Sequence, residues 1–455
     1  MLLRRFYISL LVALGLFTFF LSPIAAPRHV DGLALPDNPI TVTSRTYKLH
    51  FPDSIDLSAS ANDTVGTINR ASIVLAFSAR GGAQEAHPIP LSKPGNTLSV
   101  SWREDTSGSH FIPPGTQVYY FWEFWDSVGN MLADTQQQFS TVDTRFNWQH
   151  LTQGMLHLNW YDRPLDFGQT VLSLASKSVQ GISATLGGGL IQPINLWVYK
   201  TDQDFHGSLA PGSYEWVGGV ALPALHEASL VVVSTTDDTL VRDMPHELTH
   251  LIFHQLIAQG ITAPTWFDEG LAVYNQVYRE PELQVRFNKA LASQSLLRLN
   301  LISEKFPANA DQAYLAYAQS WQLLAYMYTT FGHPKLAQLI KLMNNSQTDF
   351  DQDLRQALGV DQVHLENQWR LSLGQPAIPA PNEITPTPQP VIQVKQAQNV
   401  STNYTTFWLL IGLGLFLVVV SLIGLVVLVV YSVRHNKAVN LSYTYIKKDV
   451  RDGSV

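Results

Sequence analysis

Phe407 to Tyr431 runs for about 25 residues without a charge, and this stretch constrains what the chain can fold into more than any other. A helix needs roughly 20 apolar residues to cross the hydrocarbon core of a bilayer. A run of this length with no polar face has no use in a soluble core, so a C-terminal transmembrane helix is expected at 407–431. Tyr404, Trp408 and Tyr431 sit where amphipathic rings meet the two interfaces, and Arg434, His435, Lys437, Lys447, Lys448 and Arg451 follow. By the positive-inside tendency, the tail at 432–455 is cytoplasmic and the N-terminal bulk is extracytoplasmic. Contact with membrane lipid through the C-terminal helix and a single-pass cell-membrane location are the expectations.

The other end is also apolar. In residues 1–26, Arg4 and Arg5 precede an apolar run from Phe6 to Leu21, and small residues follow around Ser22, Ala25 and Ala26. This is the layout of an export signal. Ile24 spoils the best small-x-small site, which leaves cleavage open; an uncleaved signal anchor would make the chain two-pass. Residues 375–403 hold six prolines, at 376, 379, 381, 386, 388 and 390, in a polar background. Such a segment cannot form a core and reads as an extended stalk.

At 455 residues the chain has room for two or three domains. The formal net charge of -7, with no long basic tract, argues against nucleic acid as a partner. With no cysteine there is no disulfide and no thiolate, and His, Asp and Glu remain as possible metal ligands.

Between the apolar ends the pattern changes once. From Ile40 to Val142, β-branched and aromatic residues cluster in ITVTSRTYKLHF, RASIVLAFSA, TLSVSWRE and TQVYYFWEFWD. Pro52-Asp53, Gly81-Gly82, Pro94-Gly95 and Pro114-Gly115 supply turns between them. Two sheets packed as an immunoglobulin-like β-sandwich at 38–147 is the economical solution. After Trp148, helical periodicity appears at Phe167–Leu186, with strands expected at Ile194–Tyr199 and Ala228–Ser234. Helices are expected at Leu271–Tyr278, Pro281–Leu297, Gln312–Thr330 and Pro334–Asn344, with a last short one ending near Trp369. The fold class is therefore α+β, with a second domain at 150–374.

The chemistry lies in RDMPHELTHLIFHQL, residues 242–256. His246 and His250 are four apart and share one helix face, so both imidazoles can reach one zinc ion. Glu247 lies beside them, placed to take a proton as water attacks a carbonyl and to return it to the leaving amine. Pro245 places the helix start close by, with Asp243 as a candidate cap. Two histidines on an amphipathic helix could also be plain packing, and the five-residue pattern recurs by chance. A third ligand decides between these readings, because a catalytic zinc takes three protein ligands and keeps one open position. After eighteen intervening residues from His250, PTWFDEGLAVY places Glu269 at the start of another apolar-periodic helix. That gap suffices to finish one helix, turn at Gly260 and return antiparallel. The expected cofactor is one Zn2+ per chain, held by His246, His250 and Glu269.

HELTH, the gap and WFDEGLA resemble the gluzincin superfamily of zinc peptidases. The bacterial peptidase MA-like family, related at its core to M1 aminopeptidases, is the most similar, over residues 150–374. The resemblance implies a zincin-like fold, zinc ligands at His246, His250 and Glu269, and a general base and acid at Glu247. It also implies a catalytic tyrosine on AYLAYAQSWQLLAYMYTTFG, where Tyr317 falls in the matching position and Tyr314, one turn earlier, is the rival. That phenol would hydrogen-bond the oxyanion of the tetrahedral intermediate. The chain departs from the M1 pattern at Trp216–Pro223, which keeps two glycines and lacks the Glu-Asn pair that holds a substrate's amino terminus. A dedicated aminopeptidase is therefore disfavoured, and an endopeptidase acting on an extended peptide or protein substrate is expected. Val273 occupies the position where relatives of the thermolysin type keep an outer Asp. Asp268 is a candidate for that role, and His254 for a packed or supporting histidine.

The expectation is a membrane-anchored extracytoplasmic zinc metallopeptidase. The competing readings are a non-catalytic binding or scaffolding protein with a degenerate zincin domain, which an intact Glu247 opposes, and a hydrolase of non-peptide amides.

Overall fold

The computed structural model describes residues 38–213 and 218–378. The export signal at 1–26, the span at 407–431, the tail at 432–455, nearly all of the stalk, and Trp216 and Val217 lie outside the described residues.

Eight strands come first: β1 (Ile40–His50), β2 (Ser54–Asp63), β3 (Ile68–Phe77), β4 (Glu85–Ile89), β5 (Thr97–Asp105), β6 (Gln117–Asp126), β7 (Met131–Ala133) and β8 (Gln137–Ser140). They form one sheet in the order β1-β2-β5 and another in the order β4-β3-β6-β7, with β8 also on β6. Side chains alternate across a strand, so each sheet turns one set inward. Ile55, Leu57, Ala59 and Ala61 of β2 meet Val118, Tyr120, Trp122 and Phe124 of β6 in a single apolar core. The sequence reading missed β2, because Ser54–Asp63 alternates small Ala and Ser with its few branched residues.

A third sheet and, among the described residues, nine α-helices follow. β9 (Gln149–Gln153) and β10 (Leu156–Trp160) precede α1 (Leu165–Leu186). Next come β11 (Ile194–Tyr199), α2 (Asp202–His206), β12 (Gly219–Leu222) and β13 (Glu227–Val231). The strand order is β12-β13-β11-β10-β9, with β10, β11 and β13 parallel and an antiparallel strand at each edge. α1 is the crossover from β10 to β11. It packs Phe167, Val171, Leu172, Ala175, Ile182 and Leu186 inward and stops at Gly187, whose φ of 74° suits the left-handed turn. The remaining helices are α3 (Asp243–Leu256), α4 (Thr265–Asn275), α5 (Pro281–Ala292), α6 (Ala310–Phe331), α7 (His333–Leu342), α8 (Phe350–Leu358) and α9 (Gln362–Ser372). The order expected from sequence, a strand-rich region and then a helical zincin-like domain, is what the chain adopts. Strands β9 and β10 and helices α2 and α8 are additions to that reading.

An aromatic cluster of Tyr161, Trp197, Tyr199 and Phe205, on which Phe146 and Trp148 of the connecting segment pack, forms the peptidase-domain side of the junction between the two regions. At the same junction the Glu227 carboxyl lies directly under the turn at Gly115. A Cβ on that residue, at φ 86°, would fall 1.6 Å from Glu227 Oε2. Only glycine fits there, on both conformational and steric grounds.

Candidate active site

Helix α3 divides its faces sharply. Met244, Leu248, Leu251, Ile252 and Phe253 are buried in the core of the helical domain, while His246, Glu247 and His250 line a cleft of about 810 Å³. Pro245 is the third helical residue, where its missing N–H has no helical partner to lose. Asp243 is not the cap. It is the first helical residue and its carboxylate is taken up by the Arg242 guanidinium, at 2.7 and 2.9 Å.

The chain leaves α3, turns at Gly260 (φ 81°) and enters α4 at Thr265, ahead of both Glu269 and the Leu271 start expected from sequence. The cause is packing. Trp266 and Phe267 are fully buried, and Phe267 meets Phe253 of α3 with ring centroids 5.8 Å apart. This first turn anchors α4 and sets Glu269 in its second turn, beyond the stretch where a helix N-terminus favours acids. The dipole therefore does not account for this glutamate.

The structure brings the three expected ligands together. Glu269 Oε2 lies 3.3 Å from His246 Nε2 and 3.6 Å from His250 Nε2. Ligand atoms at about 2.0–2.1 Å around a tetrahedral zinc are themselves roughly 3.3–3.4 Å apart, so this spacing matches the edge of such a cage. Glu269 Oε2 is also buried and has no hydrogen-bond partner, an expensive condition for a carboxylate oxygen unless a cation faces it. The three side chains fit zinc. A second group of side chains with metal-binding atoms, His250, His254 and Asp268, shares one imidazole with the first. There the atoms are already partnered: Asp268 accepts from His250 Nδ1 and from His254 Nε2, each at 2.8 Å. One zinc site per chain follows.

The remaining nitrogens are held in the orientation that a metal requires. Asp268 can only accept, so His250 keeps a proton on Nδ1 and turns Nε2 toward Glu269, the nitrogen free to take a metal. Gln276, just past the end of α4, lies 3.0 Å from His246 Nδ1. The amide Nε2 is the atom placed there, and turning the amide over puts its oxygen on Nδ1 and fixes the same tautomer in His246. Arg279 holds the Gln276 backbone in turn, donating to the carbonyls of Val273, Tyr274 and Gln276. Asp268 thus takes the outer position that Val273 does not fill. Gln276 was invisible in the sequence, because a residue beyond a helix end carries no periodic signal.

Charge in the cage follows from burial and neighbours. Burial alone would raise Glu269, yet the His250 and His246 imidazoles bring it down to about 2. Burial would lower His250, and the Asp268 and Glu269 carboxylates outweigh it and raise the imidazole well above its usual range. Two acids around two imidazoles make a pocket that demands positive charge. Glu247 departs from this pattern: burial pushes it above the usual carboxylate range against the pull of His246 and His250.

Edge strand β12 passes directly over that base. A Cβ at Gly219 would lie 3.0 Å from Glu247 Cγ and Oε1 and 2.7 Å from a Leu230 methyl, so a side chain there would collide with the base. Tyr317 stands on the opposite wall, on α6, with its ring centroid 6.3 Å from that of His246 and an edge contact to Phe306 at 4.8 Å. Burial, with the Glu269 and Glu247 charges, raises its phenol well above the ordinary value, so it stays a donor. Tyr314 also lines the cleft, one turn earlier, with the Arg286 guanidinium 5.3 Å from its ring centre.

Residues 174–375 match the Peptidase MA superfamily. That match takes in all three residues of the cage. The cluster of His246, His250 and Glu269 makes the peptidase domain a gluzincin-like, zinc-dependent one. No curated protein matches the chain. Among solved structures, a two-domain M1 zinc metallopeptidase bound to L-arginine is 14% identical, covering 75% of this chain and 96% of its own, with a TM-score of 0.34. An M1 zinc metallopeptidase from Deinococcus radiodurans is 13% identical over 75% of this chain and 93% of its own, TM-score 0.33. An aminopeptidase N family protein from Idiomarina loihiensis is 10% identical over 71% and 74%, TM-score 0.37. The assignment of the peptidase domain rests on the family match and the ligand geometry.

Proposed function

We propose that this zinc peptidase is an endopeptidase held outside a membrane, and that it cleaves extended peptide segments laid along strand β12. The observation that carries the reading is the convergence of His246, His250 and Glu269 around one buried, unpartnered carboxylate oxygen, with Glu247 alongside. Zinc bound there supplies Lewis acidity, which acidifies water and polarises a carbonyl oxygen.

The chain's own residues do the rest. Glu247 takes the proton from the attacking water and delivers it to the departing amine; the raised affinity for protons that burial gives it suits both halves of that task. Tyr317 donates to the oxyanion of the tetrahedral intermediate from the opposite wall. Among the described residues β12 pairs only with β13, so it offers an edge to a substrate strand, and Gly219 lets that pairing come close to Glu247. No carboxylate projects from β12 to hold a substrate amino terminus, since Leu222 and Pro223 follow Ala221. A strand bound along such an edge can continue past both ends.

We read the two N-terminal sheets as an immunoglobulin-like sandwich at 38–147, ahead of a peptidase domain at 150–374. The uncharged run 407–431 and the basic residues after it support an anchor with the peptidase on the extracytoplasmic side. The test is hydrolysis of a peptide library by the purified full-length chain. Internal cleavage that stops on chelation, returns with zinc and is abolished by Glu247→Gln is expected. Tight zinc binding with no cleavage of any peptide would favour a binding protein instead.

A further inference from the structure

We propose that His254 is a positioning residue for the metal cage, acting through Asp268 on the ligand imidazole of His250. The inference rests on the zinc reading above and names a device that the zinc signature does not contain. His254 lies one helical turn beyond His250 on α3, so both imidazoles leave the same helix face. Asp268 comes from α4 and accepts from both, through Oδ1 to His250 Nδ1 and through Oδ2 to His254 Nε2.

A carboxylate held by a single hydrogen bond can still rotate about its Cβ–Cγ bond. Donors on both oxygens fix its plane. His254 therefore decides where Oδ1 sits, Oδ1 decides the direction of His250 Nδ1–H, and His250 Nε2 is aimed at Glu269 as a consequence. The clamp also ties α3 to α4, the two helices whose register brings the three ligands together. Burial would raise Asp268, and the His250 imidazole, with hydrogen bonds from His250 and His254, holds it well below the usual carboxylate range, so it is a full acceptor for both rings. The His254 side chain is 30% exposed to the cleft. A ring so open adds little to the core, and its removal should leave the fold intact.

The test compares His254→Ala with His254→Gln in the full chain, since a glutamine places its Nε2 where the histidine Nε2 was. Outer hydrogen-bond partners of metal-bound histidines are worth about 10–100-fold in affinity or activity. For His254→Ala we expect zinc affinity, read by chelator competition, to weaken by about 10-fold, the lower end of that range. At saturating zinc, kcat should fall with KM unchanged. His254→Gln should recover most of both, and any drop in the melting temperature of the zinc-free protein should be small in His254→Ala and recovered in His254→Gln. Wild-type zinc affinity and kcat in His254→Ala would overturn the proposal, as would equal losses in both variants with a lower zinc-free melting temperature, the mark of simple packing. Zinc uptake that survives His246→Ala would sink the zinc reading and this proposal together. Uptake that depends on His246 and is unaltered in His254→Ala sinks this proposal alone.

Discussion

The cage around Glu269 and the junction around Glu227 each bury a glutamate, and the two carboxyls end in opposite charge states. Burial raises the proton affinity of both. Around Glu269, two imidazoles reverse it and hold the group at about 2. At Glu227, burial drives the group up to about 8, with only the Trp197 indole N–H at 3.0 Å to offset it. No counter-charge is in place there, because the space is filled by the Gly115 turn. A buried acid is thus no sign of a site by itself. What marks the cage is that its acid is kept ionised by groups that are themselves ligands, with one oxygen left unpartnered. Glu227 is a neutral structural acid that seals two regions of the chain together.

The sharpest way to break the comparison is to remove the charge from each side. Glu269→Ala and His246→Ala should each lower zinc from about one equivalent to near none after dialysis, with complete loss of hydrolysis, read by metal analysis and peptide cleavage. Retained stoichiometric zinc in either would move the ligand set elsewhere. Next in size is Glu247→Gln, which should keep its zinc and lose about 10²–10⁴-fold in kcat. Tyr317→Phe should also keep its zinc, with kcat lower by about 10²–10³-fold, as for other oxyanion donors. Undiminished turnover in that variant would pass the role to Tyr314.

The smallest effect concerns Glu227 and is one of stability. The folded protein keeps this proton up to about pH 8, whereas the unfolded chain gives it up near 4.5. The folded state therefore binds more protons between those values, and stability falls as pH rises from about 4.5 to 8. Glu227→Gln should match the parent near pH 5. It should become the more stable of the two toward pH 8.5, by on the order of a few kcal/mol in denaturant titrations. Identical pH profiles would mean that Glu227 finds a counter-charge at the junction.

These two regions were unequally legible in the sequence. The cage announced itself because its residues sit at fixed spacings on helices: His246 and His250 one turn apart, and Glu269 across a turn short enough to return. Orientation was the part that spacing could not supply. Nothing in the sequence says that Asp268 faces His250 and His254 while its neighbour Glu269 faces the opposite nitrogens, since adjacent residues on a helix point about 100° apart and the rotation of α4 is set by burial of Trp266 and Phe267. Asp243 looked like a cap because its type is favoured at helix starts, and Arg242 next to it claimed the carboxylate instead. The coarse plan of strands and then helices was readable from β-branched runs and helical periodicity. β2 escaped because alanine and serine alternate there with little contrast. The Glu227 junction had no sequence signal at all, since its cause is a distant glycine turn.

The three ligands and the groups that hydrogen-bond to them lie on a single helical hairpin, α3 to α4 with the Gln276 turn, so these contacts are local along the chain. Local contacts close quickly and at small entropic cost. An ion present while the polypeptide is still emerging could therefore be captured by this hairpin before α6 arrives with Tyr317. Metal acquisition and the completion of catalytic competence would then be separate events in the life of the molecule, ordered by the direction of synthesis.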